Sequence, residues 1–233
     1  MAMFRINAQK RARILTRAEF KRVLKVATIT READRNQLVL CLSHALGLRV
    51  TELASITIRD VMHPSGRIKH ELTMRSEITK NSRMRVLPMS NPLLLEYLEK
   101  YLNYRIEKGI GMPKSNGEFR GLSPDLPVIF SNRGGPFALA RKKRVLESGV
   151  EEEYRACDAL EQLFRHLYKI SGMRGASSHS GRRSYASRLV EAGVDIEDVS
   201  RLLGHTDLDY TLIYVAPPKE VIREAFEKAL SEE

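Results

Sequence analysis

Apolar positions recur along the chain in two periods, and the period separates helices from strands. Helical spacing organises residues 16–27, where Thr16 can cap and Glu19 follows three residues on. Residues 35–46 (RNQLVLCLSHAL) predict a strongly apolar helix closed by Gly47, because glycine accepts the left-handed backbone after a helix. Thr51 opens a short helix, TELASI. Between about 67 and 88 the period falls to two. Ile68, His70, Leu72 and Met74 alternate with Lys69, Glu71, Thr73 and Arg75, which predicts a strand. MRVLP (84–88) predicts a second strand, and the polar stretch 76–82 a hairpin tip. Asn91 and Pro92 start a helix through LLLEYLEKYLNYRIEKG, and the glycines and prolines of 111–127 mark a loop. Ile129 and Phe130 lead into the turn SNRGGP. Helices are predicted at 157–170, 180–191, 196–203 capped by Asp195, and 207–215 capped by Thr206. After Pro217 and Pro218 comes a terminal helix at 219–230. Residues 138–156 stay open between helix, loop and mobile segment. The expected fold class is α+β, mostly α, with one small antiparallel β-sheet and no internal repeat.

Composition narrows the function. The chain has 233 residues, 42% of them hydrophobic, so it can bury a core without staples and is no disordered basic tail. Lys and Arg number 39 against 29 Asp and Glu, a formal charge of 39 − 29 = +10. That excess favours a polyanion, with nucleic acid the leading candidate. Two cysteines, Cys41 and Cys157, exclude a disulfide scaffold and fit a reducing compartment. No run approaches the roughly 18 apolar residues of a membrane helix, and MAMFRINAQKRAR lacks the apolar centre of a secretory signal. The expectation is a soluble, cytoplasmic protein with no membrane partner.

The sequence holds no P-loop, GxGxxG, GxSxG, HExxH or CxxC. The nearest metal candidate is His205 with Asp207 and Asp209, but Asp207 is better explained as a helix-start residue. No metal and no cofactor are therefore expected, and phosphoryl chemistry would rely on side-chain cations. Four constellations supply them. GLRVTEL (47–53) sets Arg49 just before a helix and Glu52 three residues on. This is either a local pair worth about 0.2–0.5 kcal/mol or a guanidinium fork for phosphate oriented by a carboxylate. Lys80, at the hairpin tip, is either solvated or able to protonate a leaving oxygen. SHSGRRSYASRL (178–189) places His179 and Arg182 three apart at a helix start, as an exposed cap or as an anion site. LLGHTDLDYTLIYV (202–215) places His205 at a helix break and Tyr214 nine residues later. Tyr214 reads either as a half-buried core aromatic or as a nucleophile, with Tyr210 its rival.

In this order and spacing, GLRVTEL, a hairpin TK with RVLP beyond it, HxxR, LGH and a tyrosine nine residues after that His resemble the tyrosine recombinase (lambda-integrase-type) family. The resemblance covers about residues 15–230. It implies the DNA breaking-rejoining catalytic-domain fold over 15–233, after a basic tail at 1–14; the expected departure from the family is the absence of the usual N-terminal core-binding domain. It further implies Arg49, Lys80, His179, Arg182 and His205 as the active-site set, Glu52 as supporting acid and Tyr214 as nucleophile; Tyr210 does not fit the spacing. The implied reaction is site-specific DNA cleavage and rejoining through a 3′-phosphotyrosyl intermediate, independent of metal and ATP. The implied partners are double-stranded DNA and further copies of the chain, as a dimer or tetramer on DNA. The apolar stripe of 219–230 (Val221, Ile222, Ala225, Phe226, Ala229, Leu230) either packs on its own core or docks on a neighbour. An accessory DNA-bending protein or a companion recombinase, and association with the nucleoid, also follow from this expectation. The tail cations Lys10, Arg11 and Arg13 and the cluster Arg141, Lys142, Lys143 and Arg144 are candidate DNA contacts. Two alternatives stand: a type IB topoisomerase-like activity, and a non-catalytic regulator in which 183–204 form a helix-turn-helix.

Overall fold

The computed structural model describes residues 12–76, 84–113, 117–145, 149 and 151–204. Helix α1 (Arg17–Ala27) begins in a capping box. Thr16 accepts the Glu19 backbone N–H, and the Glu19 carboxylate accepts that of Thr16. Helix α2 (Ala33–Leu46) is the centre of the molecule. Residues Arg35 to His44 are buried without a break, so the helix has no solvent face. Its one deep cation, Arg35, donates to the Phe130 carbonyl and to Asn132 Oδ1, which meets the requirement that a buried charge keep partners. Short helices α3 (Val50–Ser55) and α4 (Ile58–Val61) follow. Strands β1 (Glu71–Met74) and β2 (Arg85–Pro88) form an antiparallel pair with Leu72 opposite Leu87 and Met74 opposite Arg85. Helix α5 (Pro92–Glu107) is capped by Asn91 and packs on α2.

Beyond a left-handed turn at Glu118–Gly121 the chain forms a second antiparallel pair, β3 (Ala140–Val145) and β4 (Glu151–Ala156). Helices α6 (Asp158–Ile170), α7 (Ser180–Glu191) and α8 (Ile196–Leu203) complete the described residues. Among them no helix is long and apolar enough to cross a membrane.

Two glycines set how α7 meets α2. Gly47 closes α2 at φ 63°, and a β-carbon there would come within 2.7 Å of the Tyr185 ring of α7. At Gly181 a β-carbon would lie 2.9 Å from Ser43 Cβ and closer still to its Oγ. The bare backbone of Gly181 therefore lets α7 lie directly on α2.

Several expectations are corrected. Helix α3 starts at Val50, one residue before the expected Thr51, with Arg49 at its N-cap position. The period-2 stretch from Ile68 pairs as a strand only from Glu71, while Ile68 bridges to Met62. The expected single sheet is two two-stranded sheets, since 138–156, left open between helix, loop and mobile segment, pairs as β3–β4. Charge favours part of that pairing: the register sets Lys143 opposite Glu153 and Arg144 opposite Glu152, although Arg141 stands opposite Arg155. Residues 12–14, assigned to the tail, run with Leu15 along the body. The Arg13 N–H donates to the Gly175 carbonyl at 2.9 Å, the Leu15 N–H to Ser184 Oγ at 2.9 Å, and Leu15 is buried. Residues 77–82 of the hairpin tip, 207–215 and 219–230 lie outside the described residues.

Gly181→Ala should destabilise the protein by about 1–3 kcal/mol through overpacking, read as a lower thermal midpoint. Adding Ser43→Ala, which removes the hydroxyl nearest the new methyl, should recover part of the loss. An unchanged midpoint in Gly181→Ala would contradict this close α2–α7 packing.

Candidate active site

The site grows from one buried carboxylate. Glu52 stands in the first turn of α3 with its side chain wholly shielded from solvent. Its Oε2 accepts the Arg49 backbone N–H at 2.8 Å and Arg85 Nη2 at 2.8 Å, while its Oε1 accepts Arg49 Nη1 at 3.0 Å. Burial pushes the Glu52 carboxyl up, but the guanidinium groups of Arg85, Arg182 and Arg49 outweigh it and hold the group below the usual carboxylate range. The ion pair between Arg49 and Glu52, expected at i and i+3, is present. The Arg49 side chain keeps 19% exposure, so its guanidinium sits at the rim rather than under it.

Arg182 comes up from beneath. It is almost fully buried in α7, and its guanidinium donates to the Gly47 carbonyl at 2.7 Å and to the Leu203 carbonyl. One side chain thus ties the end of α2 to the end of α8. His179 stands exposed at the N-cap position of α7. Although the residue keeps an exposed surface, the protein around the ring desolvates it and so lowers its imidazole pKa; Arg182 lowers it next, Glu161 raises it, and Arg49 lowers it further. The neutral ring is therefore favoured. Arg49, Glu52, His179 and Arg182 are thus brought together electrostatically from α3 and α7.

Arg85 was not among the expected residues. The signal lay in strand phase: Arg85 and Leu87 face inward while Val86 and Pro88 face outward. A cation in the inward phase of an alternating strand demands a buried anion. Lys80, His205, Tyr214 and its rival Tyr210, the metal candidate His205 with Asp207 and Asp209, and the tail cations Lys10 and Arg11 lie outside the described residues. Arg13 pairs with Glu19. In the β3–β4 hairpin Lys142 pairs with Asp158 at 2.5 Å, and Lys143 lies 3.5 Å from Glu151 and 3.8 Å from Glu153. Carboxylates thus offset the cationic charge at those two positions. The helix-turn-helix alternative is disfavoured. The first turn of α8, which would begin the recognition helix, exposes Glu197 and Asp198, and these would repel phosphate.

Glu52→Gln should cost about 3–5 kcal/mol near neutral pH, because two guanidinium groups would lose their buried counter-charge. The lowered carboxyl also sets a sign. Its contribution is complete above the unfolded value of about 4.3 and is lost as pH falls through the lower folded value. Denaturant midpoints across that acid range should show a shallower pH slope in Glu52→Gln than in wild type; an identical slope would remove Glu52 as the coupled group.

The comparisons with known proteins agree with this geometry. The phage integrase family matches residues 13–220. The chain is 30% identical to the tyrosine recombinase XerA of Pyrococcus horikoshii and 28% identical to the tyrosine recombinase XerC of Bacillus subtilis, each alignment covering 92% of this chain and 60% of the relative. It thus spans about three-fifths of the length of these curated relatives. Among solved structures, XerA recombinase superposes with TM-score 0.65 at 21% identity, over 95% of this chain and 66% of the other. XerH recombinase bound to palindromic difH superposes with TM-score 0.61 at 18% identity, over 91% of this chain and 51% of the other. At such identities the superpositions speak for the fold, an α+β, mostly α catalytic-domain fold. With the family match covering most of its length, and with GLRVTEL and HxxR meeting around one buried carboxylate, the chain belongs to the phage integrase family.

Proposed function

We propose that this chain carries the catalytic domain of a site-specific tyrosine recombinase, which cleaves and rejoins DNA strands through a 3′-phosphotyrosyl bond. The observation that carries the reading is the Arg49–Glu52–Arg85 cluster with Arg182 and His179 beside it, in a family member whose sequence also holds Lys80, His205 and Tyr214 in the family order.

The chemistry follows from charge. A phenol with a reference pKa of about 10 is a poor nucleophile at neutral pH. Fixed cations stabilise both the phenolate and the extra negative charge of a five-coordinate phosphorus. Arg49 serves from the rim as the contact to the non-bridging oxygens, and Arg182, held on the Gly47 and Leu203 carbonyls, adds its positive charge from beneath. Neutral His179 accepts the Tyr214 proton. The tyrosine oxygen bonds to phosphorus as the bond to the 5′ oxygen breaks, and Lys80 gives that oxygen a proton. His205 adds a hydrogen bond to the phosphate. A 5′ hydroxyl from a second strand reverses the steps. One phosphodiester-type bond is made for each broken, so the exchange needs no ATP.

Double-stranded DNA is the proposed substrate, supported by the net charge of +10 and by the DNA complex of the related XerH fold. Exchange between two duplexes calls for more than one copy, and the apolar stripe at 219–230 is the proposed contact between copies. An accessory DNA-bending protein or a companion recombinase would help assemble the sites. The place of action would be the cytoplasm, on the nucleoid. Arg141 is the leading contact of the β3 cluster, since Lys142 and Lys143 already face carboxylates.

Incubation with a nicked suicide duplex carrying the target site should yield a covalent protein–DNA adduct on a denaturing gel. Tyr214→Phe should abolish it, and Arg49→Ala should lower it by about 100-fold or more. An adduct surviving Tyr214→Phe would refute the nucleophile, and none from wild type would refute the activity. Because the His179 pKa is lowered, cleavage should fall on acidification only below the ordinary imidazole value of about 6.5. A pH–rate profile with its acid limb above that value would contradict His179 as proton acceptor.

A further inference from the structure

Arg85 is an expensive residue for its place. Its side chain is 6% exposed, facing inward on β2 in phase with Leu87. Only Nη2 is used, on Glu52 Oε2; Nε and Nη1 have no hydrogen-bond partner among the described residues. Burying a cation so sparsely bonded is costly, and what offsets the cost is the Glu52 carboxylate, which a methionine or leucine there would leave short of a counter-charge. Packing alone therefore gives no reason for arginine.

Occupancy of the carboxylate does. Glu52 Oε2 is filled by the Arg49 backbone N–H and by Arg85, so the Arg49 guanidinium meets Glu52 through Nη1 and Oε1 alone. Without Arg85, Oε2 would have room for a second Arg49 N–H. A bidentate fork would then draw that guanidinium onto Glu52 and away from the rim. Location adds a second reason. Strand β2 continues from the segment containing Lys80. Nη1 of Arg85 lies 3.1 Å from where a β-carbon on Gly204 would stand, and Gly204 immediately precedes His205.

We infer that Arg85 is a positioning residue: by occupying the carboxylate that holds Arg49, it keeps that guanidinium turned toward substrate and sets β2 and the end of α8 in the same frame. The inference rests on the recombinase reading above. Its test is single-turnover cleavage of the suicide duplex by the full chain, with DNA affinity measured in parallel by mobility shift. Arg85→Met should slow adduct formation by about 10- to 100-fold while DNA affinity stays near wild type. Arg85→Lys, which keeps the charge, should recover part of the rate. The double variant Arg85→Met with Glu52→Gln should be no slower than Glu52→Gln alone, since both act through one group.

A merely structural Arg85 would lower the thermal midpoint and leave the rate per folded molecule unchanged; that result, or fully additive losses in the double variant, overturns the inference. If Arg85→Met does not fold, Arg85→Lys decides: slowed cleavage at near-wild-type affinity supports the role, and unimpaired cleavage overturns it. No adduct from wild type would overturn the recombinase reading and this inference with it. A wild-type adduct with an unimpaired Arg85 variant would overturn the inference alone.

Discussion

A carboxylate sealed from water between two arginines governs the architecture of this site. Glu52 can stay ionised inside the protein only because Arg85 and Arg49 both bond to it while Arg182 adds its field. Arg85 in turn is tolerable at such depth only because the carboxylate is there. The cluster is mutually dependent: removing any member strands a charge. What it leaves at the rim is a guanidinium of fixed orientation, which is what stabilisation of a transient oxyanion requires of its donors.

The rest of the fold serves this arrangement. A helix buried on every face, α2, ends at Gly47, and the turn after it delivers Arg49 to the start of α3. Helix α7 lies against α2 without side-chain separation at Gly181, and that contact puts Arg182 under the Gly47 carbonyl. The end of α8 is drawn in by the same guanidinium through the Leu203 carbonyl. Positive charge is thereby gathered from α3, β2 and α7, elements 36 to 133 residues apart in sequence between Arg49, Arg85 and Arg182. Like charges so placed need rigid packing and a shared anion to hold them.

Much of this was legible in the amino-acid sequence wherever the signal was local. Capping at Thr16 and Asn91, the glycine stop at Gly47 and the helical period of α6 and α7 are decided by neighbours within a turn. The Arg49–Glu52 pair is local too, three residues apart. The β3–β4 hairpin was not legible, because its strands carry a basic and an acidic run in place of apolar alternation. Arg85 was missed for a related reason. Its partner lies 33 positions earlier in the chain, and only the inward phase shared with Leu87 hinted at a buried anion. Arg182 stands at the helix start its sequence context predicts, but the carbonyls it grips, Gly47 and Leu203, lie 135 and 21 positions away.

The most direct test is a structure of the full chain bound to an uncleaved target duplex, with Tyr214→Phe to halt the reaction. The account predicts the scissile phosphate against the Arg49 guanidinium, the Arg49–Glu52–Arg85 cluster intact, and residue 214 of this copy or a neighbour in line with the leaving 5′ oxygen. A phosphate seated away from Arg49, or a Glu52 released from both arginines when DNA binds, would contradict it.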